Sequence, residues 1–410
     1  MASFEQYTNK AGQKFWRVQY RNPAGKLTGK RGFKTKRDAK NWADENEHAM
    51  KTGGYVAPSA SRVKFSEFAE NWFAGKVNLA QSTRSRYRGV LDTHLIPEFG
   101  TAALGDISHE WIQGWIARSV AQPDTQPTGK KAAKPAGKTV KPATVRKNIT
   151  VLNQILTEAV KRRRIAVNPA ADVELPKAEH IEKRYLAAAQ VPALARAASV
   201  LTADPKKVGQ GRYTSLARAA EGRGVLVYVL AYCGLRFGEA AALRVTDVNV
   251  LRSRLRIHRS VTQVNGHMVF SAPKNGKARD VVMPKFVAEM VKKQIDGRGP
   301  DELVFPAANG EPLRLRNVRR DWWNRAVKDS GVPAGFTPHE LRHTAASLAI
   351  RAGASIKVLQ RMLGHASAAL TLDRYGHLFE DELDGVADRL DAHHSAECSQ
   401  DVVTGLKLVK

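Results

Sequence analysis

Apolar positions recur along the chain in different rhythms, separated by stretches with almost none. Residues 1–60 open with Phe15-Trp16-Arg17-Val18-Gln19-Tyr20, rich in aromatic and β-branched side chains. Asn22-Pro23-Ala24-Gly25 then supplies turn chemistry, and a short strand is predicted through Gly32-Phe33-Lys34. Thr35-Lys36-Arg37-Asp38 reads as a capping box opening a helix through Trp42. Residues 65–175 keep a helical period. Phe65, Phe68 and Trp72 form one stripe, and Tyr87, Val90, Leu91 and His94 a second. Val145, Ile149, Leu152, Leu156 and Ala159 form a third, ending in Lys161-Arg162-Arg163-Arg164. Gln122 to Pro142, rich in Pro, Lys and Gly, is predicted to be a mobile basic loop. Residues 172–184 hold Pro176 and several charges without an apolar period, and read as a linker. Beyond it, 185–395 is predicted mostly helical. Its one strand-rich interruption, Arg254 to Met283, carries two hairpin turn signals, Asn265-Gly266 and Asn275-Gly276. The pattern predicts a multidomain, mainly α protein. A three-stranded sheet plus helix (1–60) precedes a helical domain (65–175), then a mostly α domain with a small antiparallel sheet (185–395) and a tail (396–410).

Charge narrows the choice of partner. The chain has 410 residues, with 66 Lys and Arg against 39 Asp and Glu, a formal net charge of +27. Each of the three pieces has a basic surplus of its own, so this is not one basic tail on a neutral body. A polyanion touched by every domain explains that better than mere solubility or an anionic membrane surface. In the first piece basic side chains alternate with apolar ones, so Arg17 and Lys34 would mark a cationic face suited to a DNA groove. Arg84 and Arg88 share a helix face away from the apolar stripe, and Arg146 lies on the third helix. These five are candidate DNA contacts; the plainer reading is solvated surface. Cys233 and Cys398, the two cysteines, make neither a disulfide framework nor a metal knuckle. Met1 to Lys10 lacks an apolar signal core, and the longest apolar run, Gly224 to Leu235, is too short for a bilayer. A reducing cytoplasm is the expected setting, with no membrane partner.

Five segments of the third piece hold polar residues that a bland core would not need. They are Gly234-Leu235-Arg236-Phe237-Gly238-Glu239, Pro273-Lys274-Asn275-Gly276-Lys277-Ala278-Arg279, Thr337-Pro338-His339-Glu340-Leu341-Arg342-His343-Thr344, Leu363-Gly364-His365, and Thr371-Leu372-Asp373-Arg374-Tyr375-Gly376-His377. If Thr337 caps and Pro338 opens a helix, His339 and Arg342 share one face. Each segment alone has a dull reading: a surface ion pair, a solvated lysine, a core histidine, a buried tyrosine. Their order changes the odds. Arg236, Lys274, His339-x-x-Arg342, Leu363-Gly364-His365 and Tyr375 resemble the hallmark of the tyrosine recombinases, or phage integrases. The three-piece layout is similar to the longer phage and mobile-element integrases, in which an arm-type DNA-binding domain (here 1–60) and a core-binding domain (65–175) precede the catalytic domain (185–395).

That resemblance implies site-specific cleavage and rejoining of DNA through a 3′-phosphotyrosine at Tyr375. Attack on a phosphodiester piles negative charge on the non-bridging oxygens, and two permanently charged, forked guanidiniums, Arg236 and Arg342, suit them. His365 would add a hydrogen bond. The phenol, with an ordinary pKa near 10, must lose its proton, and by resemblance His339 is the base. Lys274, rather than its neighbour Lys277, is the acid for the leaving 5′ oxygen, and Glu239 supports Arg236. No metal or other cofactor is needed, since the phosphotyrosine conserves the ester bond and arginines replace a metal's charge. Double-stranded DNA at attachment sites, a homotetramer on synapsed DNA, a DNA-bending host factor and a directionality factor are the implied partners, in a bacterial cytoplasm at the nucleoid. Leu383, Val386 and Leu390 share a helix face that would pack on its own domain or on a neighbouring subunit. A host-type Xer-like resolvase is the near alternative, and a type IB topoisomerase shares the active site without strand exchange between sites. One departure from the family opens a distant alternative. The family usually carries Asp where Glu340 stands, and His339-Glu340-Leu341-Arg342-His343 fits the zinc-peptidase signature HExxH. In that reading His339 and His343 bind zinc and Glu340 activates water, but Arg236, Lys274 and the overall charge have no use.

Overall fold

The computed structural model describes residues 2–9, 11–23, 25–51, 54–57, 59–120, 140–177, 184–200, 210–379, 390–392 and 394–395. Cys398, Leu383, Val386 and the 396–410 tail lie outside them, as do most of the predicted basic loop and residues 178–183 of the linker. The chain divides into two compact units, Met1–His180 and Ile181–Lys410.

The first unit begins with an antiparallel sheet of β1 (Ser3–Thr8), β2 (Lys14–Arg21) and β3 (Leu27–Phe33), in the order β1-β2-β3. A helix, Lys36–Lys51, follows and runs well past the predicted end at Trp42. Thr35 starts it as expected, its Oγ1 accepting from the Asp38 amide at 3.1 Å. Strand alternation sends Val18 and Tyr20 against Ala39 and Ala43 of that helix, forming a small core. It sends Glu5, Arg17 and Arg31, paired in register, to the opposite face. Lys34 lies exposed just beyond β3.

The rest of the unit is helical: Phe65–Ala74, Gln81–Val90, His109–Val120 and Pro142–Lys161. The three predicted stripes supply its core, with Phe65, Leu91, Leu152 and Leu156 fully buried. Helix Gln81–Val90 continues through one π turn, Leu91–Leu95, into Ile96–Phe99. The cause is Pro97, which has no N–H to give and whose ring crowds the preceding turn. The Val140 amide donates to the Ser119 carbonyl at 2.9 Å, so the chain re-enters beside the point where helix His109–Val120 ends. Pro142 is the first residue of the next helix, where a missing N–H costs nothing.

The second unit is built on helix Gln210–Cys233, which contains the long apolar run. Leu226, Val227, Leu230 and Leu235 pack with Val191 and Leu194 of helix Gln190–Ser199, Val287 and Val291 of helix Lys285–Ile295, and Trp322, Trp323 and Leu341. Two small sheets interrupt the helices. One is β4 (Val248–Asn249), β5 (Arg254–Ile257) and the later β8 (Arg279–Val282); the other is β6 (Ser260–Val264) with β7 (His267–Ser271). Asn265-Gly266 makes the β6–β7 hairpin, with φ of 48° and 85°. Asn275-Gly276 makes a turn but not a hairpin. The strands it joins, β7 and β8, pair with β6 and β5 in different sheets. Helices Glu340–Arg351, Ile356–Leu363 and Ala368–Tyr375 complete the unit around a second small core of Ala346, Ile350, Leu359, Leu363 and Tyr375. Cys233 is buried, and burial pushes its thiol up to about 12. Among the described residues no helix is long and apolar enough to cross a membrane.

Candidate active site

The five polar segments of the second unit meet around Arg342, a buried arginine on the first turn of helix Glu340–Arg351, 2% exposed. Its Nη1 donates to the Gly234 carbonyl at 2.7 Å and its Nη2 to the Leu363 carbonyl at 2.6 Å. Glycines turn the chain at both places. Gly234 has φ +64° at the end of the long helix, and Gly364 has φ +63° as the left-handed cap of helix Ile356–Leu363. Burial first, then the neighbouring charge of Arg236, pushes the Arg342 guanidinium down to about 9, still charged at neutral pH.

Arg236 sits at the N-cap of the short helix Phe237–Ala240, one turn before Glu239 as expected. Glu239 is 1% exposed. It accepts from the Arg236 amide and from Arg236 Nη1, both at 2.9 Å. The far side of the carboxylate is held by a residue the sequence did not single out. Arg279 donates from Nη1 at 3.0 Å and from Nη2 at 2.6 Å, and from Nε to the Met362 carbonyl at 3.2 Å. Burial alone would raise the Glu239 carboxyl, but Arg279 and then Arg236 outweigh it and hold it below its ordinary value. Arg279 also lies under Gly364, where an added Cβ would come within 2.9 Å of its Cδ.

His365 is buried, its Nδ1 2.9 Å from Thr371 Oγ1. Its Nε2 is buried with no hydrogen-bond partner among the described residues. Burial, with the charges of Arg342, Arg374, Arg236 and Arg279, pushes this imidazole down to about 4, so it is neutral. Tyr375 ends helix Ala368–Tyr375, 2% exposed and parallel to the His365 ring at 6.3 Å between centroids. Burial raises its phenol, opposed by Arg342, Arg374 and Arg236. The tyrosine hydroxyl lies 2.8 Å from Nδ1 of His343.

His339 is the N-cap of helix Glu340–Arg351, so the helix begins later than a Thr337 cap would have it. Its ring meets the His343 ring edge-on at 5.4 Å. Desolvation, then Arg342, Arg236 and Arg374, hold its imidazole below the ordinary value. The ring is open to solvent, so the arginine charges are the sounder cause. Glu340 is occupied elsewhere: it accepts from Arg184 Nε at 2.7 Å and Nη2 at 3.1 Å, and from the Thr337 amide at 2.6 Å. This carboxylate fastens the helix start to Arg184. Lys274 stands exposed on the Pro273–Gly276 turn, whose Asn275 donates to the Gly364 carbonyl at 3.2 Å. The turn therefore borders the site while the lysine side chain points to solvent.

Of the residues singled out from sequence, Arg236, Glu239, His339, Arg342, His365 and Tyr375 converge, and Lys274 is at the edge. Arg279 and Arg374 were missed as individuals, and His343 was singled out only as a zinc ligand in the distant HExxH reading, although each lies in a segment that was noticed. For Arg374, adjacency to Tyr375 was the available signal; for Arg279 and His343 the contacts are long-range.

The candidate DNA contacts lie in the first unit and are engaged to differing degrees. Arg17 pairs with Glu5 at 2.5 Å. Arg88 bonds both Glu70 oxygens at 2.8 Å and also Asp92. Arg84 lies over the Phe73 ring at 4.7 Å and donates to the Lys76 carbonyl. Arg146 donates to the Pro176 carbonyl at 3.0 Å.

Comparison with known proteins follows the same division. A model described as the phage integrase family matches residues 212–382. One described as the phage integrase N-terminal SAM-like domain matches residues 64–118. The integrase of Mycobacterium phage L5 is 24% identical over 355 residues, covering 83% of this chain and 84% of its own length. The solved structure of the Tn1549 transposon integrase with transposon right end DNA superposes with TM-score 0.59 at 19% identity, over 80% of this chain and all of that one. A lambda integrase tetramer bound to a Holliday junction gives TM-score 0.50 at 19% identity, over 88% and 96% of the two chains.

Two outcomes test this network. Replacing Arg279 with Met should cost about 3 kcal/mol in unfolding free energy, read from the denaturant midpoint. Breaking a buried ion pair costs about 3–5 kcal/mol, and Arg236 still faces Glu239, which favours the lower end. An unchanged midpoint would show that the carboxylate does not depend on Arg279. The second concerns pH. An unfolded histidine titrates near 6.5, and folded His365 near 4. Between those values the unfolded chain binds a proton that the folded chain refuses. Stability contributed by neutral His365 is therefore complete above pH about 6.5 and lost as pH falls toward 4. In a His365→Asn variant the part of the acid-side slope due to this group should disappear; an identical slope would contradict the assignment.

Proposed function

The chain belongs to the phage integrase family of tyrosine recombinases, enzymes that break and rejoin DNA strands, and from that premise we propose that Tyr375 is the nucleophile of a site-specific integrase. Its hydroxyl attacks a backbone phosphorus, the bond to the 5′ oxygen breaks, and a 3′-phosphotyrosine holds the ester until a 5′ hydroxyl reverses the step. The observation that carries the proposal is electrostatic. Arg236, Arg342 and Arg374 all act on the phenol of Tyr375, and Arg236, Arg342, Arg374 and Arg279 all act on the imidazole of His365. A concentration of fixed positive charge beside a tyrosine hydroxyl suits a phosphate gaining negative charge in the transition state.

In this reading Arg236 and Arg342 clamp the non-bridging oxygens. His365 offers its unpartnered Nε2 to one of them, the neutral imidazole serving as a donor. Glu239 supports Arg236 without reacting. Lys274, free to swing on its turn, protonates the leaving 5′ oxygen once DNA lies across the site. His339 stands at the rim, beside the phosphate's path. The same family premise extends to partners: double-stranded DNA at attachment sites, a homotetramer on synapsed duplexes, and accessory proteins for bending and direction, acting at the bacterial nucleoid.

Covalent trapping tests the nucleophile. The element's attachment core is first read by sequencing the junctions formed with its host, and a duplex of it is nicked so that the released fragment diffuses away. Wild-type protein should form an adduct that survives denaturing electrophoresis, and Tyr375→Phe should form none. An adduct that persists in Tyr375→Phe removes Tyr375 from the role. Residues 1–60 are proposed to bind an arm site separate from the crossover, on the strength of Arg17, Arg31 and Lys34 around the face of the sheet turned from its helix. Deleting them should weaken recombination on a full-length site while sparing cleavage of the isolated core. Undiminished recombination would refute the separate arm site.

A further inference from the structure

The reading of Tyr375 as nucleophile leaves its proton without a destination. Family resemblance nominates His339, but the group at the hydroxyl is His343, one helical turn further along Glu340–Arg351. The geometry points to His343 as the catalytic base that takes the Tyr375 proton during attack on the phosphate and returns it on rejoining.

Three features of the site support this. His343 Nδ1 lies 2.8 Å from the tyrosine oxygen, within direct proton-transfer distance. The residue is half-buried on a helix whose other face is fixed in the core by Leu341, Thr344 and Ala345, so the ring is held and not merely near. Among the described residues its ring meets Tyr375 and the edge of the His339 ring, and Arg342, Arg236 and Arg374 act on that tyrosine.

The step balances without a co-reactant. In the proposed step His343 enters as the neutral tautomer with its proton on Nε2, so that Nδ1 accepts from the tyrosine hydroxyl. As the Tyr375 oxygen bonds to phosphorus, its proton passes to Nδ1, and the bond from phosphorus to the 5′ oxygen breaks, that oxygen taking a proton from Lys274. The negative charge reaching the site on the phosphate stabilises the imidazolium. In rejoining, the 5′ hydroxyl gives its proton to the now neutral Lys274 amine as it attacks phosphorus, the bond from phosphorus to the Tyr375 oxygen breaks, and His343 returns its proton to the departing phenolate.

This inference depends on the nucleophile assignment, and its test keeps the two apart. Single-turnover adduct formation on the nicked core duplex is followed between roughly pH 6 and 10, the range in which imidazole and phenol titrate. The wild-type rate should rise as the imidazole deprotonates and then level off. His343→Ala should be slower at neutral pH by about a hundredfold or more, the usual worth of a positioned base. Its rate should keep climbing with pH and should recover in part when free imidazole is added. His343→Gln can still accept the phenol's hydrogen bond but cannot take the proton, so it should be as slow as the alanine variant. It also serves if His343→Ala fails to fold, with DNA affinity reporting the integrity of both. A near wild-type rate in either variant would overturn the proposal. So would a slow His343→Ala that keeps the wild-type pH profile and ignores imidazole. An adduct surviving in Tyr375→Phe would overturn the nucleophile first and this base with it. An adduct lost in Tyr375→Phe but undiminished in the His343 variants would overturn the base alone.

Discussion

Burying the guanidinium of Arg342 is the constraint on which the rest of the site depends. A cation taken out of water must be met by acceptors, or the fold loses several kcal/mol. Two backbone carbonyls meet it, from Gly234 and Leu363, and each exists only because a glycine turns the chain there. The end of helix Gln210–Cys233, the start of Glu340–Arg351 and the end of Ile356–Leu363 are thereby tied to one side chain. Those are the segments that deliver Arg236, His339 and His365. The spacing of the site is a consequence of satisfying one buried charge.

A second charge balances the first group of cations. Arg236, Arg279 and Arg342 would repel one another in a site this closed. Glu239 lies among them, ionised and almost wholly buried, bonded to two and electrostatically coupled to the third. It neutralises only part of their charge, so a surplus remains for an incoming anion. Arg279 links this carboxylate to the Met362 carbonyl and fills the space beside Gly364. A side chain at position 364 would therefore meet both a strained backbone and the arginine that holds Glu239.

The parts of this arrangement legible in the sequence were those with local signatures. The three helical stripes of residues 65–175 named the core of that piece. Order along the chain named six of the converging residues. Long-range partners were not legible. Nothing near Arg279 says that its carboxylate lies forty residues earlier, and nothing near His343 says that a tyrosine thirty-two residues later will reach it. The hairpin expected at Asn275-Gly276 failed for a related reason. Turn chemistry reports the bend, but which strands pair is settled by the sheets on either side, and β7 and β8 had other partners. Glu340 matched a metal-site signature by type and spacing, yet Arg184 and the Thr337 amide hold its carboxylate at the start of the helix.

The electrostatics also give a reason for a dedicated base beside the tyrosine. Arg342, Arg374 and Arg236 pull the phenol toward ionisation while burial resists. A phosphate seated on those same arginines would cancel part of their pull, because its negative charge would be paired with them. The moment of attack is then the moment at which the cations help the phenol least. A neighbouring imidazole behaves in the opposite way: the arriving anion makes its protonation easier. A site that relied on arginines alone would lose part of its activation on binding substrate, and this is the physical argument for the base proposed at His343. The proposed transfer would need no rearrangement, because His343 Nδ1 already lies 2.8 Å from the tyrosine oxygen.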